Sequence, residues 1–284
     1  MGRIRACVVA AAIAAAAMPS AVRAQGDEIQ VYDGGLAPKG VFNLTLHNNY
    51  TPDGIKTPSF PGAVVSHKSL NGVPEWAYGV NRWFELGLYL PLYSHDADMG
   101  WGLNGFKLRT LFAVPNADDR RFVYGANFEF SYNTERWDTS RFTSEIRPII
   151  GWHLRPVDVI FNPIFDTSYD GLNNLEFVPS TRIAYNTASS WAFAIEEYSD
   201  YGSLDDLAPA AEQGHQLFAV VNHSSPSLDV EFGVGYGLTS ASDRFTLKLI
   251  LAHDFNKPRS KTGAKTGAKT GTKTGTKTGT AGPR

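Results

Sequence analysis

Lys107 and Arg109, Glu145 and Arg147, and Asp229 and Glu231 are ionisable residues spaced two apart. On a helix such pairs diverge; on a strand they share one face. Arg121, Glu129, Arg141, Asp158, Arg182 and Lys248 sit in stretches of the same kind, on the face opposite large apolar residues. A face of mixed charge has two uses. It can line a constriction that selects solutes by charge, or close on itself as a lattice of ion pairs that stiffens an interior. A second spacing, His67-x-Ser69, sets an imidazole near a hydroxyl, as general-base activation of a serine requires. His223-x-Ser225 repeats it. His67 falls in a long loop, however, and His223 runs into Ser-Ser-Pro-Ser, a turn sequence. The seven histidines show no metal-ligand spacing, and the glycines of residues 233–237 precede no helix that could hold a nucleotide. No cofactor and no metal is expected.

The elements that carry these residues repeat with period two. RWFELGLYLPLYS, starting at Arg82, alternates Phe84, Leu86, Leu88, Leu90 and Leu92 with Glu85, Gly87, Tyr89, Pro91 and Tyr93. RFVYGANFEFSYN sets Phe122, Tyr124, Phe128, Phe130 and Tyr132 against Arg121, Asn127, Glu129 and Asn133. The same pattern recurs from residue 41 to Phe255 and predicts about twelve strands, weakest around Trp191 and Leu217; with those two omitted, ten remain. Short linkers such as Asn81-Arg82 and Arg155-Pro156 alternate with long ones such as residues 51–72 and 199–213.

The two ends differ from this body. Arg3 and Arg5, an apolar run over residues 7–18 and Val22-Arg23-Ala24 predict a signal peptide, residues 1–24. The single cysteine, Cys7, lies inside it, so the mature chain has no disulfide framework. The KTG repeats of residues 257–284 contain no large apolar side chain and predict a disordered basic tail. Residues 25–256 hold fifteen Lys and Arg against all 28 acidic residues, an acidic body that argues against nucleic-acid binding.

A soluble sandwich would also alternate. Charges on the second face of several strands, an apolar face unbroken to the strand ends, and aromatics near those ends (Tyr50, Trp83, Tyr93, Trp101, Trp152, Trp191) favour a membrane barrel with aromatic girdles. Residues 25–256 are therefore expected to form an all-β, single antiparallel transmembrane β-barrel. Phe255 closes the last strand like the C-terminal assembly signal of outer-membrane barrels, although the tail follows it.

VFNLTLHNNYT, SLNGVPEWAYGV and TSEIRPIIGWHL, followed by the rest of the twelve-strand body, resemble uncharacterised proteobacterial outer-membrane proteins similar to the putative MetA-pathway of phenol degradation family. The resemblance implies an outer-membrane barrel passing small molecules, hydrophobic or aromatic compounds among them, and supplies no catalytic motif. The expected function is passive transport through a narrow channel, with Lys107, Arg109, Arg121, Glu129, Arg141, Glu145, Arg147, Asp158, Arg182, Glu231 and Lys248 as lumen candidates. The expected partners are outer-membrane lipid and lipopolysaccharide, the barrel-assembly machinery and an unidentified solute. An outer-membrane lipid hydrolase using His67 and Ser69 is the alternative, and a closed structural barrel the second. Whether GDEIQVYDGG, residues 26–35, plugs the lumen is left open by the sequence.

Overall fold

The computed structural model describes residues 26–256. The predicted signal peptide and the KTG tail lie outside the described residues. The strands are β1 (Phe42–Asp53), β2 (Ser69–Gly79), β3 (Phe84–Asp96), β4 (Gly100–Ala113), β5 (Phe122–Asn133), β6 (Phe142–His153), β7 (Val157–Asn162), β8 (Phe165–Thr167), β9 (Glu176–Phe177), β10 (Ser180–Asn186), β11 (Trp191–Asp200), β12 (Gly214–Ser224), β13 (Asp229–Gly237) and β14 (Phe245–Asp254). Each pairs antiparallel with its neighbour in sequence, β7 passes to β10, and β14 returns to β1, where Leu46 lies opposite Leu251. The result is a closed twelve-stranded barrel. β8 and β9 are the far ends of β7 and β10, set off by Pro163 and Pro179, which have no N–H to give to a ladder. The two weakest stretches of the sequence are full strands, β11 and β12.

Closure leaves no free edge, which is what lets a sheet cross hydrocarbon with its backbone polar groups satisfied. The alternation decides what faces where. Leu86, Leu108, Phe130, Ile183 and Ile195 are exposed on the outer wall, while Asn43, Glu85, Asn127, Arg147 and Glu196 are buried inside. Near the strand ends, Trp83, Trp101, Trp152 and Trp191 are exposed, and outer-wall rings pair across strands, Phe84 with Phe112 at 4.7 Å and Phe122 with Trp152 at 5.5 Å.

Strict alternation breaks in the middle of β3 and opposite it in β4, where Leu103 and Phe106 both face out. The β2–β3 and β3–β4 registers both shift around Leu90 and Pro91. The bulge turns Leu92 inward, where it is fully buried against Val73 and Tyr89, and puts Tyr93 on the outside, its hydroxyl donating to Asn48 Oδ1 at 2.6 Å. The expectation that Leu92 faces out and Pro91 and Tyr93 face in is corrected accordingly: a proline without an N–H breaks the ladder, and the extra residue flips the faces.

Both ends of the barrel chain, Phe42 and Asp254, meet at one rim, called here the near rim. Its connections include residues 80–83, 154–156 and 187–190, closed by local bonds such as Asn81 Oδ1 accepting from the Trp83 N–H at 2.8 Å. The far rim carries the longer loops, residues 54–68 and 201–213 among them. There Asp243 ties two loops together, accepting from the Ile55 N–H at 2.8 Å and the Ser66 hydroxyl at 2.5 Å.

Candidate functional site

The site is the lumen, and it contains a segment of the chain itself. From the near rim, where Gly40 N–H donates to Gly79 O at 2.7 Å, residues 26–40 turn into the barrel. Their inner end reaches Asn49, whose Nδ2 donates to Gly26 O and Asp27 O at 3.2 and 3.1 Å. Asn49 lies seven residues along β1 from Phe42, roughly 23 Å of strand. Ile29, Val31, Tyr32 and Ala37 are all buried. Gly34 allows the turn: its φ is +85°, and a Cβ there would stand 2.8 Å from Val123 Cγ1.

The wall around this segment is ionic, in three groups. On β2 to β4, Arg109 bridges Glu75, at 2.6 Å, and Glu85, while His47 Nε2 lies 3.3 Å from Glu75. On β4 to β6, Lys107 pairs with Asp27 of the segment at 2.5 Å and with Glu129 at 3.5 Å. Beside it Arg147 grips Glu145 with two bonds, 2.6 and 2.9 Å, the bidentate geometry a guanidinium favours. On β10 to β14, Arg182 and Lys248 share Glu196 and Glu231; Lys248 lies 2.6 Å from Glu231, Arg182 lies 3.5 Å from it, and Asn222 Nδ2 donates to it at 2.6 Å. Asp158, towards the near rim, is held by His153 at 2.7 Å and Asn186 at 2.5 Å.

Nine of the eleven lumen candidates are thus buried inside the barrel: Lys107, Arg109, Glu129, Glu145, Arg147, Asp158, Arg182, Glu231 and Lys248. Arg121 and Arg141 are corrected. Each precedes its strand by one residue and is exposed at a rim, because the alternation ends where the ladder does. Glu75, Glu85, Glu196 and His47 complete the ion pairs. Glu75 and Glu85 were legible as odd members of alternating stretches, whereas Glu196 stands in a Glu-Glu doublet that hides the face.

Tyr32 is the centre of the segment. Its hydroxyl lies 2.6 Å from that of Tyr89, and the Arg147 guanidinium lies 4.6 Å from its ring centroid. Burial pushes its phenol well above the ordinary range, so it stays a neutral hydrogen-bonding group. Beside it is a void of about 20 Å³, room for a water, lined by Gln30, Tyr32, Asp33, Glu75, Glu85 and Arg109. Burial raises the carboxyl of Glu28, helped by Glu129 and opposed by Arg147, His47 and Lys107. Burial and the nearby Asp118 raise Asp33 to about 6.

The hydrolase geometry is not assembled. Ser69 Oγ–H donates to Ser66 O at 2.8 Å, and His67 Nδ1 accepts from the Gly54 N–H at 3.3 Å. The His223 ring lies tilted against Trp191, their centroids 4.4 Å apart, and Ser225 Oγ–H donates to Leu228 O. Among the described residues no group of His, Cys, Asp and Glu is arranged to hold a metal ion.

An apolar outer belt around a closed antiparallel cylinder with a polar interior defines the fold of the outer-membrane β-barrels. Two solved structures share it. The COG4313 outer membrane channel from Pseudomonas putida F1 is similar with a TM-score of 0.54 and 14% identity, over 80% of this chain and 100% of that one. The NanC porin is similar with a TM-score of 0.50 and 9% identity, over 75% and 100%. No family model and no curated protein matches the sequence.

Proposed function

We propose that this chain sits in the bacterial outer membrane and passes small solutes passively along its lumen. The observation that carries the reading is the pairing of an apolar outer wall with an inner wall of ionisable side chains, in a barrel wide enough to hold a peptide segment. Eight strands leave room for side chains and sixteen for an aqueous channel; twelve lies between, which suits a narrow pore. Its surroundings are then outer-membrane lipid and lipopolysaccharide, with Phe255 as the mark read by the barrel-assembly machinery. The Phe255 N–H continues the β14 ladder to Phe42 O at 2.9 Å, and its ring is exposed, open to such a contact.

The lining of arginine, lysine, carboxylate and tyrosine favours small polar or charged solutes. The link to aromatic compounds rests on the family resemblance alone. The inward segment and the complete ion pairing favour one other reading, a closed structural barrel without transport.

Currents across planar lipid bilayers separate the two. Folded protein, verified by its heat-modifiable mobility, is expected to give discrete current steps, infrequent while residues 26–40 are seated. A folded barrel that never conducts at any voltage, with or without that segment, contradicts the channel and leaves the structural barrel.

A further inference from the structure

The lumen wall reads the backbone of residues 26–38. Asn162 Oδ1 accepts from the Tyr32 N–H at 2.7 Å while its Nδ2 donates to Tyr32 O at 2.9 Å, the pair of bonds a neighbouring strand would make. Arg147 donates to Gln30 O at 2.9 Å, Lys248 to Ile29 O at 3.2 Å and Asn49 to Gly26 O and Asp27 O. The Glu85 carboxylate accepts the Ala37 N–H at 2.5 Å. Side chains from β1, β3, β6, β7 and β14 therefore hold this one segment by its main chain.

We infer that the lumen is a peptide-binding site whose ligand is the chain's own residues 26–39, and that this segment leaves as a unit to open the pore. The inference rests on the channel reading and adds the element that closes it.

Two observations support a removable ligand over a fixed part of the core. First, the wall does not need the segment. Lys107 keeps Glu129, Arg109 keeps Glu75 and Glu85, Arg147 keeps Glu145, and Arg182 and Lys248 keep Glu196 and Glu231. Departure strips no wall cation of its last carboxylate, so it avoids the penalty of an unpaired buried charge. Second, the seat is imperfect. Glu28 is buried with neither carboxylate oxygen hydrogen-bonded, a feature that weakens the bound state. Against these, side-chain anchors set the resting state closed: Asp27 pairs with Lys107 at 2.5 Å and the Tyr32 hydroxyl meets that of Tyr89 at 2.6 Å. Ile29 packs among Ala184, Ala194, Phe218 and Val220, and Tyr32 packs against Leu111 and Ile149. Beyond them Pro38 and Lys39 are exposed, and Gly40, with φ +79° and open space at its Cβ, supplies a hinge at the rim.

The test compares three forms of the full chain in planar bilayers: intact, lacking residues 26–39, and Ile29→Glu, which unseats the apolar anchor without shortening the chain. Synthetic GDEIQVYDGGLAPK is then added to the deleted form, with a scrambled peptide as control. The expected result is sustained current from the deleted and Ile29→Glu forms, brief openings from the intact one, and block by the native peptide only. Asn162→Ala should weaken that block about tenfold, the worth of the two lost hydrogen bonds. A cysteine placed by Ile29→Cys, the only one in the mature chain, should react with a membrane-impermeant maleimide at a rate that follows the openings. Equal, sustained currents from all three forms, or a deleted barrel the peptide does not block, would overturn the plug and leave the channel standing. Silence from every folded form would overturn both.

Discussion

Asp33 is a residue whose protonation and seating are linked. In place, its carboxyl titrates near 6, pushed up from 3.8 by burial and by Asp118, against the Gly35 N–H and the positive charges of His153 and Arg182. Glu28 shifts in the same direction, raised by burial and Glu129 against Arg147, His47 and Lys107. A carboxyl with a raised pKa holds its proton better in the seated state, so seating weakens as pH climbs from about 4 to about 6 and stays weak above. Block of the plug-free barrel by the free peptide is expected to be tighter at about pH 5 than at about pH 7.5, and Asp33→Asn in the peptide should tighten block at the higher pH and shrink the difference. Block that is the same at both values would contradict this linkage. On the wall, Lys248→Met leaves Glu196 and Glu231 to share Arg182. The loss expected in urea unfolding is about 3 kcal/mol, with part recovered when Glu231→Gln is added.

Single strands carry the fold's legibility. In β4 and β5 the inner positions Lys107, Arg109, Asn127 and Glu129, set against Phe and Leu outside, left one choice of face. In β11 and β12 small alanines and a Glu-Glu doublet blurred it, yet closure enlists both strands because a gap would leave two edges unpaired in lipid. The bulge at Leu90 and Pro91 was beyond a strict two-residue period, since proline changes the register rather than the composition. Leu108, exposed at mid-strand on β4, should respond as a lipid-facing residue. Leu108→Arg is expected to lower barrel stability by about 2–4 kcal/mol in lipid vesicles. The same substitution inside a soluble sandwich would not depend on lipid. At the last strand, Phe255→Ala should reduce the amount of heat-modifiable barrel recovered from the outer membrane while refolding in detergent stays unchanged.

For the whole molecule, the sequence displayed the wall and concealed its contents. Nine lumen residues were identified by period two alone, because each strand writes its own faces. The pairing of Arg182 with Glu196 and Glu231 was not visible, as it depends on the register that sets Arg182 opposite Glu196 and on a reach along the wall to β13. Residues 26–40 have no alternation to mark them; their acids, Asp27, Glu28 and Asp33, and their paired glycines are compatible with any surface linker. What places them inside is the wall's spare donors at Asn162, Arg147 and Lys248, a property of the closed barrel and of no single element. On the channel reading these wall charges face a conducting path. The most direct test is the reversal potential of the barrel lacking residues 26–39 under a salt gradient, with and without Arg147→Gln. A shift towards cation selectivity on loss of that guanidinium is the predicted result; a folded barrel without current, or a reversal potential indifferent to Arg147, would contradict it.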